Sequence, residues 1–142
     1  MRRIRSNIDK QSAGFRAYRE HNRRLVKELK ERQDRARFHR PERDVNRLRR
    51  QNKLLVRERI DLLLDPGTPF LELSTLAANG AYDGTVPGAG LVSGIGIVSG
   101  REVMVMASDS SIKGGAWYPL TVKKMVRTLD TVSYTHLRAH ET

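Results

Sequence analysis

Residues 90–129 limit the possible folds of this sequence more than any other stretch. They contain two apolar segments (LVSGIGIV, residues 91–98, and VMVMA, residues 103–107), then a glycine-bearing loop and an amphipathic helix. Side chains in both segments alternate between two faces that are both largely apolar, which predicts β-strands covered on both sides. Ser99 and Gly100 between the segments suit a hairpin turn. The stretch is therefore typical of a layered α/β domain.

Two glycines lie inside the first predicted strand. Gly94 and Gly96 lack side chains and so weaken the strand. They predict either a bulge or the close approach of another backbone or a ligand. A packed hairpin without a ligand is the alternative interpretation.

The loop at residues 110–116 lies between the second strand and the helix that Pro119 begins. It carries Lys113, Gly114 and Gly115. Adjacent glycines allow a backbone to approach a ligand closely and to expose its amide groups. Amides at the start of the following helix can assist an anion or an enolate oxygen. A plain turn is the alternative interpretation of the glycine pair.

Positive charge is concentrated in the first part of the chain. Residues 1–60 contain 21 Lys or Arg and 8 Asp or Glu, whereas the remaining 82 residues contain 6 and 8. This excess suits a polyanion, a phosphorylated small molecule or an acidic partner surface. The four histidines are scattered and cysteine is absent, so neither a metal site nor a disulfide is predicted. No apolar run approaches the length of a membrane span and no secretory signal is evident, so the sequence is compatible with the cytoplasm.

Amphipathic helices are predicted for the basic part. Ser12 is a suitable N-cap for a helix that ends near residue 37, and Pro41 suits the start of a second one. A third, short helix at residues 57–64 is followed by a short edge strand at residues 70–73 and a glycine-rich loop. The third helix is expected to bury Ile60, Leu63 and Leu64. The first helix carries an apolar stripe, interrupted by Asn22, that is expected to pack on a neighbour: Phe15, Tyr18, Leu25, Val26 and Leu29.

Residues 53–73 (KLLVRERIDLLLDPGTPFLEL) carry a resemblance to a known family. It continues through GIG at residues 94–96, VSG at 98–100, SD at 108–109, IKGG at 112–115 and YPLTVKK at 118–124. In this order the motifs closely resemble the beta (carboxyltransferase) subunits of biotin-dependent acyl-CoA carboxylases. Lys113 to Gly115, followed by Tyr118 and Pro119, is most similar to the methylcrotonoyl-CoA and geranyl-CoA branch. Met125 stands where related sequences often have histidine, so the acyl group, including propionyl, stays open.

The resemblance implies an α/β fold, the N-terminal part of a crotonase/ClpP-like ββα domain preceded by basic amphipathic helices. Residues 1–52 would be the basic helical lead-in and residues 53–131 the truncated start of the carboxyltransferase N-terminal domain. Lys113, Gly114 and Gly115 would line the acyl-CoA pocket. The catalytic groups would lie downstream of residue 130, so this chain alone would be inactive.

The resemblance also implies cofactors and partners. The carboxyl donor would be carboxybiotin on a biotin-bearing alpha subunit, and coenzyme A would be part of the substrate. The carboxyltransferase subunit would be a homo-oligomer in the cytoplasm, or in the mitochondrial matrix of a eukaryote, and without a metal or a membrane contact. Two alternatives stay open, an assembly module and a nucleic-acid-binding module. The second is less favoured because the basic residues lack interleaved aromatics and a recognition motif.

Residues 132–142 (VSYTHLRAHET) depart from the family pattern. Their sequence resembles, codon by codon, a conceptual translation of a transposase-type sequencing adapter. We therefore expect them to be a non-native tail.

Overall fold

The computed structural model describes residue 6 and residues 8–139. The rest of the predicted lead-in and tail, residues 1–5, 7 and 140–142, lies outside the described residues. Helices and strands alternate irregularly along the sequence: α1 Ala13–Phe38, α2 Glu42–Arg50, α3 Val56–Leu63, β1 Leu71–Leu73, β2 Leu91–Val98, β3 Arg101–Ser108 and α4 Pro119–Ala139. Short 3₁₀ turns lie at Tyr82–Gly84, Pro87–Gly90 and Lys113–Gly115.

The predicted hairpin is confirmed. Strands β2 and β3 pair antiparallel, with Leu91 opposite Ser108 and Val98 opposite Arg101. Ser99 and Gly100 have φ values of 51° and 73°, the left-handed conformation that a tight two-residue hairpin turn requires. Strand β1 pairs antiparallel with the other side of β2, so it is the edge strand that its short alternating sequence predicts.

The core lies between α3 and one face of this sheet. Val56, Ile60 and Leu64 pack against Val92 and Val105. Val56 and Ile60 are four apart on α3, and Leu64 directly follows the helix at the same spacing, so the three side chains lie on one side. Leu63, which the sequence analysis placed in the core, is 49% exposed because it projects from a neighbouring face of the helix.

Close packing explains the two glycines inside β2. A Cβ atom at Gly94 would lie 2.5 Å from the Leu71 carbonyl oxygen, and one at Gly96 would lie 2.4 Å from Leu64 Cδ2. The β2–β3 register is continuous across both positions, so the strand carries close approaches and not a bulge. The approaching groups belong to the protein's own edge strand and to Leu64 directly after α3.

Helix α4 begins at Pro119, as predicted, and continues to Ala139. Near its start, the Thr121 hydroxyl donates to the Ala89 carbonyl at 2.7 Å, which fixes the helix against the turn before β2. The helix therefore includes residues 132–139, whereas residues 140–142 lie outside the described residues. That residues 132–142 are a non-native tail stays a prediction.

Helix α1 is largely solvent-exposed. Residues 16–32 are all exposed, and Gln33, Ala36 and Arg37 near the C-terminal end are partly covered. The apolar stripe therefore does not pack on another element within the described residues, contrary to the expectation from its sequence. In residue 6 and residues 8–139, the helices are too short or too polar to span a bilayer.

Candidate functional site

The loop that carries Lys113, Gly114 and Gly115 follows β3 directly. These three residues have φ values of 47°, 70° and 86°, so three consecutive residues adopt the left-handed conformation. Glycine adopts it without strain, whereas Lys113 does not. Lys113 and Gly114 are exposed and Gly115 is half-buried. The loop thus holds the Lys113 side chain at the surface on a tightly turned backbone.

The amides of this region already have protein partners. The Gly115 N–H donates to the Ile112 carbonyl at 2.8 Å, and the Ala116 N–H donates to the Lys113 carbonyl at 3.2 Å. At the start of α4, the Leu120 N–H donates to the Tyr82 hydroxyl at 3.2 Å. In this structure these three amides therefore serve the turn and the helix start.

A buried ion pair anchors the loop to the basic lead-in. Arg40 Nε donates to Asp109 Oδ2 at 2.9 Å, and both side chains are under one tenth exposed. Asp109 Oδ1 also accepts from the Ser111 amide at 3.0 Å and from the Ser111 hydroxyl. Arg47 Nη2 adds a bond to the Ser110 carbonyl at 2.9 Å. The loop and the α1–α2 region consequently form one connected unit.

A cleft of about 580 Å³ lies between this loop and the lead-in helices. Its volume is within the range of small-molecule pockets. It is lined by residues of α1, the α1–α2 linker, α2, the loop before β2 and the loop after β3: Arg32, Arg35, Ala36, His39, Arg40, Pro41, Arg43, Asp44, Gly84, Thr85, Pro87, Ser111, Ile112 and Lys113. We call it the basic cleft.

The basic cleft has an excess of positive charge. Its cations are Arg32, Arg35, Arg40, Arg43 and Lys113, and Asp44 is its one lining carboxylate. Arg32 is paired with Glu28 and Arg40 with Asp109. Within the described residues, Arg35, Arg43 and Lys113 form no ion pair, so their charges are available to an anion.

Sequence reasoning singled out Lys113 but missed its neighbours in the basic cleft. Arg35, Arg40 and Arg43 lie within a short basic segment around Pro41, where the sequence predicts only the end of one helix and the start of the next. Asp109 was noted as part of a family motif and not as an anchor. The arginine density around Pro41 was a detectable signal, but its meeting with Lys113 depends on tertiary structure.

A second charged cluster surrounds Glu72 of the edge strand β1. Glu72, whose side chain is 6% exposed, accepts from Arg57 Nη1 and Nη2 at 3.0 and 2.9 Å and from Arg37 Nε at 3.0 Å. Arg57 Nε also donates to the Arg37 carbonyl at 2.9 Å. This cluster joins α1 and α3 to β1.

Lys124 of α4 is buried, and its Nζ donates to the carbonyls of Leu91 and Gly88 at 2.6 and 3.1 Å. Burial lowers the pKa of this ammonium group to about 8, while Glu72 opposes the shift and Arg57 adds to it. A neutral amine retains two N–H donors, so both carbonyls can stay bonded after deprotonation.

This pKa predicts a pH-dependent stability. In the unfolded chain, Lys124 keeps its proton up to an ordinary pKa of 10.5, so the unfolded state binds more protons than the folded state above pH 8. We expect the contribution of Lys124 to the free energy of unfolding to rise by about 2 kcal/mol between pH 8 and pH 10. Denaturant unfolding of the wild type and of Lys124→Met at both pH values measures it.

The exposed neighbour Lys123 provides the matched control for this measurement. Lys123→Met should keep the wild-type difference between the two pH values, whereas Lys124→Met should lose it. Parallel behaviour of all three proteins would show that Lys124 titrates normally.

No group of three or more His, Cys, Asp or Glu side chains is arranged to hold a metal ion among the residues that the structure describes.

Comparison with known proteins identifies the family. The model of the carboxyl transferase domain matches residues 47–140, which include β1 to β3, the loop after β3 and all of α4. The chain belongs to the carboxyl transferase domain family. It is 50% identical over 111 residues to the biotin-dependent 3-methylcrotonyl-coenzyme A carboxylase beta1 subunit of Mycobacterium tuberculosis, covering 78% of this chain and 21% of that protein. The methylcrotonoyl-CoA carboxylase beta chain of Arabidopsis thaliana is 54% identical over 83 residues, 58% of this chain and 14% of its own length.

Solved structures of carboxyl transferase proteins have the same fold. The beta subunit of Pseudomonas aeruginosa geranyl-CoA carboxylase superimposes with a TM-score of 0.62 at 36% identity, over 88% of this chain and 23% of that one. Transcarboxylase 12S, described as a hexamer assembly, superimposes with a TM-score of 0.67 at 29% identity, over 78% of this chain and 22% of that one. The expected fold class, an α/β start of a crotonase-like domain, is confirmed. This carboxyl transferase chain spans about a fifth of the length of the relatives it matches.

Proposed function

We propose that this chain is the start of a carboxyltransferase beta subunit that acts on an acyl-CoA resembling 3-methylcrotonyl-CoA. Supporting this substrate class, the relatives that match include methylcrotonyl-CoA carboxylase subunits at 50% and 54% identity. Propionyl-CoA and geranyl-CoA are the alternative substrates, because relatives named for each also match. Carboxybiotin on a partner subunit would supply the carboxyl group.

Within this function, we assign the basic cleft to the phosphates of coenzyme A. The observation that carries the assignment is the convergence of Arg35, Arg43 and Lys113 on one cleft without carboxylate partners among the described residues. Phosphate oxygens accept charge-assisted hydrogen bonds from guanidinium and ammonium groups. Lys113 comes from the loop predicted to line the acyl-CoA pocket, and Gly114 and Gly115 let that loop turn tightly beside the ligand.

Calorimetric titration of the chain with coenzyme A tests the assignment. Arg43→Gln should weaken binding about tenfold, because it removes a charge-assisted hydrogen bond to phosphate. Dephospho-coenzyme A and pantetheine, which lack one and all of the phosphates, should bind progressively more weakly. The matched control is Arg16→Gln, which makes the same change of charge on an exposed turn of α1 away from the basic cleft.

The outcomes distinguish a specific site for coenzyme A phosphates from nonspecific anion binding by a basic chain. Equal weakening by Arg16→Gln and Arg43→Gln, or equal affinity for coenzyme A and pantetheine, would contradict the assignment. The nucleic-acid alternative instead predicts a marked preference for one nucleic-acid sequence over random sequence at fixed salt.

A cytoplasmic location, or the mitochondrial matrix in a eukaryote, belongs to the same proposal. Relatives from Arabidopsis thaliana and Drosophila melanogaster are named as mitochondrial.

A further inference from the structure

The N-terminal part of α1 projects from the rest of the described structure. Residues 16–32 are all exposed, and no residue of the helix is buried. Among them are large apolar side chains: Tyr18 is 73% exposed, Leu25 50%, Val26 51% and Leu29 46%. Residues 16–32, which we call the arm, extend about 25 Å at 1.5 Å per residue. Isolated helices this short are marginally stable in water, so a partner would stabilise the arm.

The apolar residues of the arm follow a heptad. Phe15, Tyr18, Asn22, Leu25 and Leu29 are spaced by three, four, three and four residues. This places Phe15, Asn22 and Leu29 at the a positions and Tyr18 and Leu25 at the d positions. Asn22 interrupts the apolar stripe, but in this heptad it occupies an a position, where asparagine specifies the register of a coiled coil.

The row of a and d residues, which we call the seam, is flanked by almost no net charge. Between Phe15 and Leu29, the flanking e and g positions hold Arg19, Val26, His21 and Glu28, which are one cation, one anion, an apolar residue and a histidine. The other basic residues up to Lys30 lie at the outer b, c and f positions: Arg16, Arg23, Arg24, Lys27 and Lys30. Arg32 falls on the next d position, where it is paired with Glu28. An acidic partner helix would find little positive charge along the seam. A second identical helix would meet no row of like charges there.

We propose that α1 pairs with α1 of a second copy of this chain, with Asn22 facing Asn22 across an apolar seam. The asparagine amide has both donors and acceptors, so two copies can satisfy each other. An open groove on one side of this face is lined by Phe15, Tyr18, Asn22 and Val26, with Arg19 and Arg23 as its two charged residues. Its apolar part can receive the partner's side chains. Self-assembly also occurs in the structurally similar transcarboxylase 12S, whose structure is described as a hexamer.

Disulfide trapping tests the pairing, and the chain contains no native cysteine to interfere. Asn22→Cys places two thiols at the seam, where Cα separations permit a disulfide. Glu20→Cys is the matched control, because position 20 lies on the far side of the same helix and its Cα atoms would be well beyond 7 Å apart. Under mild oxidation, we expect Asn22→Cys to form covalent dimers at least about tenfold faster. Equal rates for the two variants would overturn the proposal.

Analytical ultracentrifugation provides a second, independent measurement. Leu25→Gln should shift the chain toward monomer, whereas Arg24→Gln, on the outer side, should not. Because the outer faces are basic and the seam is apolar, association should strengthen as salt rises and screens the repulsion. A chain that stays monomeric up to millimolar concentration, or whose dimer dissociates as salt rises, would contradict the proposal. Coenzyme A binding does not involve this seam, so each proposal can fail without the other.

Discussion

Replacing Glu72 by glutamine is expected to lower the free energy of unfolding by about 3 kcal/mol. The carboxylate is 6% exposed and accepts hydrogen bonds from Arg37 and Arg57 at 3.0 Å or less. Its removal leaves two guanidinium groups without their anion and also removes the negative charge that favours protonated Lys124. The loss should lie at the low end for a broken buried ion pair, because Arg37 and Arg57 are still 32% and 22% exposed.

Glu28→Gln is the matched control for this prediction. Glu28 pairs with Arg32, but both side chains are more than half exposed, so the same change should cost less than about 1 kcal/mol. Urea denaturation followed by circular dichroism measures both variants. If Glu72→Gln and Glu28→Gln unfold at the same urea concentration, the Glu72 cluster does not hold α1 and α3 to the sheet.

Gly94→Ala is expected to destabilise the fold by a similar amount, about 3 kcal/mol. The added Cβ would lie 2.5 Å from the Leu71 carbonyl oxygen and 2.6 Å from the ring of Phe70. A side chain can rotate away, but the Leu71 carbonyl belongs to the backbone of β1, which pairs with β2 at this position. Relief of the clash therefore requires the edge strand to move.

Two further alanine variants calibrate the Gly94 measurement. Gly14→Ala in α1 meets no atom within 4 Å and should leave stability unchanged or raise it by up to about 1 kcal/mol. Gly96→Ala meets the tip of the Leu64 side chain, which can shift, so its loss should be smaller than that of Gly94→Ala. Thermal unfolding in one buffer ranks the three. A Gly94→Ala protein as stable as the wild type would mean that β1 does not approach β2 as described.

The elements around the hairpin were predictable because their signals are local. Alternating apolar residues in β2 and β3, the pair Ser99 and Gly100, and Pro119 at a helix start each act over a few residues. The errors lie where a distant contact decides the outcome. Ile60, Leu63 and Leu64 are all predicted to be buried, but the way α3 docks on the sheet buries only Ile60 and Leu64 and leaves Leu63 exposed. The stripe of α1 was expected to pack on a neighbour, yet it is exposed in the described structure.

For the candidate site, the sequence alone determined the loop with Lys113, Gly114 and Gly115, the motifs of the family and the charge of the lead-in. Only the tertiary structure decided that Arg35 and Arg43 meet Lys113 at one cleft, and that Asp109 is held by Arg40. The physical reason is the distance along the sequence over which each interaction acts. Backbone conformation follows from neighbouring residues, whereas Arg40 and Asp109 are 69 positions apart and meet only when the helices dock beside the hairpin.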